Sequence, residues 1–238
     1  MVIMKILVQF PTLRRADKFI DCLNKYVSGV KSNPVHFNIN CDEIDESMKD
    51  PYVQEKIRYI IGGNPLCTHS LYFDEDTTKI SAINDHIKGV DCDVLVCASD
   101  DMNPQVNNWD EEISCAMQEH FPDLDGCVHF NDGNTNGSLI TFSILGKKLY
   151  ERFGYIYHPD YKSLYADDEF TQEVTRMDKV QYVDKIIITH DHYGEEDNIN
   201  SGDFDYSAEK TLHYAGRDGY VFAERLKRGF PKGKITND

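Results

Sequence analysis

Between Lys5 and Asp101 the chain alternates short apolar runs with amphipathic stretches of helical length, and this alternation narrows the possible folds more than any other feature. The runs Lys5 to Phe10, Val35 to Ile39, His69 to Phe73 and Val94 to Cys97 have the length of strands. The segment from about Arg14 to Tyr26 puts Phe19, Ile20 and Leu23 on one stripe, a second stretch ends near Gly62-Gly63, and a third spans Lys79 to Ile87. Strands and helices in turn predict strand-helix-strand units on a parallel sheet, a Rossmann-like half.

After Asp101 the order changes. Trp109 to His120 reads as a helix capped by Asn108, and Gly126 to Phe130 and Ser138 to Ser143 as strands around the turn Asn131-Asp132-Gly133-Asn134. Helices are predicted near Lys147 to Phe153 and Asp167 to Met177, with a strand at Lys185 to Thr189 and a last helix around Ser207 to Arg228. The expected fold class is α/β, a mixed, mostly parallel sheet flanked by helices. The expected organisation is residues 1–193 as one domain, halves 1–101 and 102–193, with 194–238 as a C-terminal extension, helical or partly disordered.

The fourth apolar run ends in Ser99-Asp100-Asp101, so two adjacent carboxylates stand at a strand's C-terminal end. Open α/β sheets bind ligands at that edge. Adjacent carboxylates repel, and an oxygen-loving cation such as Mg²⁺ or Mn²⁺ relieves the repulsion, although a solvated loop or helix cap accounts for the pair equally well. His190 and His192, two apart at a strand end, point the same way and suit a metal or the surface. Asp167-Asp168-Glu169 opens a helix, where carboxylates act as caps or, near an acceptor hydroxyl, as a general base. Arg14 and Arg15 follow Pro11-Thr12 at the mouth of the first strand and are placed to meet a phosphate.

Composition bounds the partners. A formal charge of −16 argues against nonspecific nucleic-acid or anionic-membrane binding. Seven cysteines without a Cys-x-x-Cys pair favour reduced thiols, no run approaches the roughly 18 apolar residues of a membrane span, and Met1 to Val8 leads directly into a strand instead of forming a signal peptide. A soluble, cytoplasmic protein without an integral membrane segment is expected.

The order of these elements resembles the GT-A glycosyltransferases, in particular the inverting family-2-like group, over residues 5 to 192. Pro11-Thr12-x-Arg14 follows strand one, an acidic loop Cys41-Asp42-Glu43 follows strand two, and Lys79-x-x-Ala82-x-Asn84 approximates the family's Lys-x-x-Ala-x-Asn pattern. Ser99-Asp100-Asp101 stands in place of its Asp-x-Asp element, and the acidic triplet and a final histidine come later.

The resemblance implies that Pro11, Thr12, Arg14, Lys79 and Asn84 line a nucleotide pocket, that Asp42 holds the base, and that Asp100 faces ribose or metal. It implies that Asp101 binds Mn²⁺ or Mg²⁺ with His192 or His190, and that Asp168 is the general base, with Glu169 or Asp167 as substitutes. The implied activity is metal-dependent, inverting, hexosyltransferase-like transfer of one sugar from a nucleoside-diphosphate sugar, UDP-sugar favoured, to a glycan or other hydroxyl acceptor. Trp109, Tyr155, Tyr157 and Tyr161 are candidates for stacking on sugars or for core packing. A nucleotidyltransferase and a catalytically inactive sugar-nucleotide-binding module stay open as alternatives.

Overall fold

The structure, a computed structural model, describes residues 2–75, 77–191 and 206–231, with the side chains of the last helix described from Leu212 onward. Its elements in chain order begin with β1 (Ile6–Pro11), α1 (Ala16–Gly29), β2 (Val35–Asp42), α2 (Glu46–Lys49), α3 (Pro51–Gly62), β3 (Cys67–Asp74), α4 (Lys79–Asn84) and β4 (Val94–Cys97). There follow β5 (Met102–Pro104), α5 (Trp109–His120), β6 (Cys127–Phe130), β7 (Ile144–Gly146), α6 (Lys147–Phe153), α7 (Ala166–Arg176), β8 (Val180–Val183), β9 (Ile188–His190) and α8 (Tyr206–Lys227).

The main sheet has the order β3-β2-β1-β4-β7-β6-β8. Its strands are parallel to one another except β7, which pairs antiparallel with both β4 and β6. The expected mixed, mostly parallel sheet is therefore observed.

Alternation along the strands builds one core on each face. Ile6, Val8 and Phe10 of β1 pack with Phe37 and Ile39 of β2 against Phe19, Leu23 and Tyr26 of α1 and Trp109 and Ile113 of α5. Leu7, Leu95 and Leu145 face the other way, toward Ile80 and Ile83 of α4, Leu149 of α6 and Phe170 and Val174 of α7. Each such fully buried side chain contributes about 1.5–3 kcal/mol. Helices α1 and α5 meet closely because Gly29 has no side chain. A Cβ there would stand 2.7 Å from Trp109 Cδ1, and the indole Nε1 is held by the Tyr26 carbonyl at 2.8 Å.

Three expectations need correction, and two strands are additions to them. The third predicted helix stops at Asn84 because buried amides of the sheet take the next carbonyls, Gln9 donating to Asp85 O and Asn38 to His86 O. Ser138 to Ser143 is not a strand. The Asp132 carboxylate accepts from the backbone of Asn134 and Thr135 and from the Thr141 hydroxyl, which folds this stretch into a compact loop, and the strand comes later as β7. Val180–Val183 is a strand that the pattern conceals, paired parallel with β6. The strand expected at Lys185 to Thr189 is shorter and ends one residue later, as β9, which joins the equally concealed β5 in a two-stranded antiparallel ribbon.

Candidate active site

The parallel pairing of β1 with β4 places Thr12 and Asp100 side by side at the C-terminal edge of the sheet. Thr12 Oγ1 donates to Asp100 Oδ2 at 2.8 Å. Arg15 Nε donates to the same oxygen at 3.1 Å, and its Nη2 lies 2.6 Å from Oδ1. Burial, the main influence, pushes the Asp100 carboxyl up, and the Arg15 charge opposes it. Asp100 is thus a buried carboxylate whose charge is supported chiefly by Arg15, with the Thr12 hydroxyl and the Lys18 charge adding to it.

Asp101 has the opposite character. Burial works against its charge as the largest single influence, but hydrogen bonds from His190 and Ser99 and the charges of His190 and Lys79 outweigh it and hold the carboxyl well below its usual range. His190 reaches this position through the ribbon, where it pairs with Met102, and its Nε2 lies 3.6 Å from Asp101 Oδ1. Nothing local in the sequence links these two residues.

Beside them a cleft enclosing about 40 Å³ is lined by Pro11, Lys79, Ser99, Thr141, Tyr157, Asp167 and His190 among others. That is room for a few water molecules. Cys97 also lines the cleft, but burial pushes its thiol up to about 12, so it stays protonated and is no nucleophile. The first turn of α7 supplies Asp167 to the cleft wall, with Asp168 next to it. Burial, then the neighbouring Asp167 charge, raise the Asp168 carboxyl.

No protein-family model and no curated protein matches the sequence. Solved structures do. A mannosyltransferase, PcManGT from Pyrobaculum calidifontis in complex with GDP-Man and Mn²⁺, superposes with a TM-score of 0.64 at 13% identity, covering 98% of this chain and 77% of that one. S. aureus TarS 1-349 in complex with UDP gives a TM-score of 0.60 at 14% identity over 95% of this chain and 72% of that one. The same fragment in complex with UDP-GlcNAc gives 0.59 at 15% identity, with the same coverage. The chain has a GT-A glycosyltransferase fold.

Within this GT-A fold the anticipated residues separate into those that meet at the sheet edge and those bound up elsewhere. Pro11, Thr12, Lys79, Asp100, Asp101, Asp167 and His190 gather around the cleft and its rim. Asp42 ends β2 at the same edge, buried, with Oδ1 accepting the Ile44 amide at 3.1 Å. Arg14 is exposed, at φ +55, with its backbone N–H donating to Asp45, and Arg15 is the arginine that pairs with Asp100. The Asn84 side chain is engaged by the backbone. Its amide accepts from Ile156 and Tyr157 and donates to the Tyr157 carbonyl, anchoring the following loop.

Glu169 is likewise unsuited to proton transfer. It is buried, clasped by Arg225 Nε and Nη2 at 2.7 and 2.8 Å, and accepts from Tyr161 at 2.7 Å. Trp109 and Tyr161 are core residues, and Tyr157 is buried with its ring against Phe170. His192 lies outside the described residues. Arg225 was visible in the sequence only as part of the basic end of a helix, and no local pattern marks a buried cation.

Among the described residues no three His, Cys, Asp or Glu side chains converge on a metal position. A divalent cation at a diphosphate needs fewer, since Mg²⁺ is usually held by one or two carboxylates with waters and substrate phosphates. Ionised Asp101 fits that donor set, with His190 Nε2 3.6 Å from its Oδ1. No helix among the described residues is long and apolar enough to cross a membrane, and all seven cysteines are free thiols, Cys115 being exposed.

Proposed function

We propose that this chain transfers one sugar from a nucleoside-diphosphate sugar to an acceptor hydroxyl, in a metal-dependent and inverting reaction with a UDP-sugar as the favoured donor. The observation that carries the reading is the placement of ionised Asp101, His190 and Lys79 at the edge of the sheet, with the acidic first turn of α7 close by. The GT-A fold supports it, as do the UDP, UDP-GlcNAc and GDP-Man complexes of proteins that share the fold.

Asp101 and His190 would hold Mn²⁺ or Mg²⁺, which would supply positive charge to the diphosphate as it departs. Lys79 adds a second cation on the same side. The chain carries a formal charge of −16, so a diphosphate needs such local compensation to bind at all. Asp168, with a carboxyl raised by burial and by the Asp167 charge, serves as the general base. It takes the proton of the acceptor hydroxyl while the oxygen attacks the anomeric carbon and the nucleoside diphosphate leaves from the opposite face. Asp100, fully buried and held by Arg15 and Thr12, acts behind the site by fixing the partly exposed Arg15 beside the donor's phosphates.

Calorimetry with UDP, GDP, UDP-GlcNAc and GDP-mannose tests this reading, with Mn²⁺ and again in EDTA. Binding of at least one of them that weakens at least tenfold in EDTA is expected. Equal affinity in both conditions overturns the metal-bridged site, and no binding to any of the four overturns the function.

A further inference from the structure

Helix α8 follows the cleft-forming elements in sequence, yet it sends two fully buried charged side chains, Asp218 and Arg225, onto the segment 160–169, whose Ser163, Ala166 and Asp167 line the cleft. A charge this deep is costly unless its bonding is complete. The Asp218 carboxylate accepts the main-chain N–H groups of Lys162, Ser163 and Leu164 at 2.7 to 3.2 Å, and Arg217 pairs with it at 2.7 Å. Arg225 clasps Glu169 on the first turns of α7 and lies 3.4 Å from Asp160 Oδ2. Both ends of the segment 160–169 are therefore held from one helix.

Between the two clamps the backbone is strained. Tyr165 sits at φ +64, left-handed, at the position that starts α7, with its ring stacked on Phe222 of α8 at 5.7 Å. A bulky residue holds such a conformation only where its surroundings over-determine it. Two residues later Asp167 lines the cleft, with Asp168 beside it. The same loop reaches the opposite wall, because the Lys162 carbonyl accepts the Ile80 amide at 3.2 Å, one residue from Lys79.

From this geometry we infer that α8 is a positioning element for the reaction, with Asp218 and Arg225 setting the turn that aims Asp167 and Asp168 and spaces them from Lys79. The inference rests on the function proposed above. Neither side chain touches the cleft, so both are positioning residues. A role in stability alone would lower the melting temperature and leave turnover by the folded protein unchanged.

The test compares the full chain with Asp218→Asn, which keeps shape and one acceptor oxygen, and Arg225→Lys, which keeps the charge and loses the two-pronged grip. Below their melting temperatures, donor affinity is measured by calorimetry with UDP-GlcNAc and GDP-mannose plus Mn²⁺, and turnover by hydrolysis of the same donors. Expected is a fall in kcat of about 10- to 100-fold with donor Kd within about twofold, since small misplacements of reacting groups cost rate out of proportion to binding. Unchanged kcat in either folded variant, or Kd weakening as much as kcat/KM, overturns the inference.

Amide exchange gives a readout independent of activity. Asp218→Asn should speed exchange at Glu169 and Phe170, which Asp218 does not touch, and acceleration confined to 162–164 overturns the mechanical link. If the wild-type chain neither binds nor hydrolyses the two donors, the proposed function fails for them, and the exchange pattern alone decides whether α8 governs the turn.

Discussion

Arg15 and Asp100 form a buried pair whose partners are unequally sheltered: the carboxylate side chain is fully inaccessible, whereas the guanidinium that neutralises it is 22% exposed. The arginine is open to ligand on one side while the carboxylate depends on it for charge. Removing the arginine takes away the largest influence that favours charge on this buried carboxylate, leaving the Thr12 hydrogen bond and the Lys18 charge.

Arg15→Met should therefore destabilise the protein by about 3 kcal/mol at pH 7, the lower end of the range for breaking a buried pair. The loss has a pH signature. A carboxyl raised above its unfolded value loses stability as pH rises from that unfolded value through the folded one, and without Arg15 the folded value climbs further. The gap between variant and wild type should shrink below about pH 4, where Asp100 is protonated in both states. Urea denaturation at pH 7 and pH 3.5 checks both parts, and a pH-independent gap would refute the assignment.

Asp101→Asn should fold normally and lose the Mn²⁺-dependent rise in melting temperature with UDP present. Its side chain is 21% exposed and sits at a rim, not within either core. A thermal-shift titration in Mn²⁺ and in EDTA reads the effect, and retention of the full Mn²⁺ shift would move the metal elsewhere.

Asp168→Asn should keep donor affinity and lose turnover by about 10²-fold or more, because an amide cannot take the acceptor proton. In the wild type, kcat/KM should decline on acidification with a midpoint above the ordinary carboxylate value, following the raised carboxyl. Asp167→Asn tests the neighbouring wall residue, and a larger loss there than in Asp168→Asn would exchange their roles.

Glu169→Gln should behave as a structural variant. Losing the closer of the two carboxylates on the buried Arg225 guanidinium, with Asp160 at 3.4 Å remaining, should cost about 3 kcal/mol, with turnover per folded molecule falling only as far as the turn it supports is disturbed. Chemical denaturation beside active-site titration separates the two effects.

Gly29→Ala should cost about 1–3 kcal/mol through overpacking against Trp109 and leave donor binding unchanged, since the contact lies in the α1–α5 core. Denaturation midpoints and UDP calorimetry on the same sample decide it.

The residues alone determine the α/β architecture, the four leading strands and the delivery of Asp100 and Asp101 to a strand's C-terminal end. These follow from periodicity and from where apolar runs stop, which are properties of neighbouring residues. Tertiary structure decided the rest. Arg14 and Arg15 are indistinguishable by composition, and the turn at φ +55 exposes the first and directs the second to Asp100. Asp167, Asp168 and Glu169 read alike as a helix start, and only the return of α8 sets Glu169 apart by placing Arg225 on it. His190 meets Asp101 because a two-stranded ribbon too short for any pattern carries it there. Each choice was made by a contact between residues far apart in the chain, whose energy depends on burial and mutual distance, and neither quantity exists until the chain has folded.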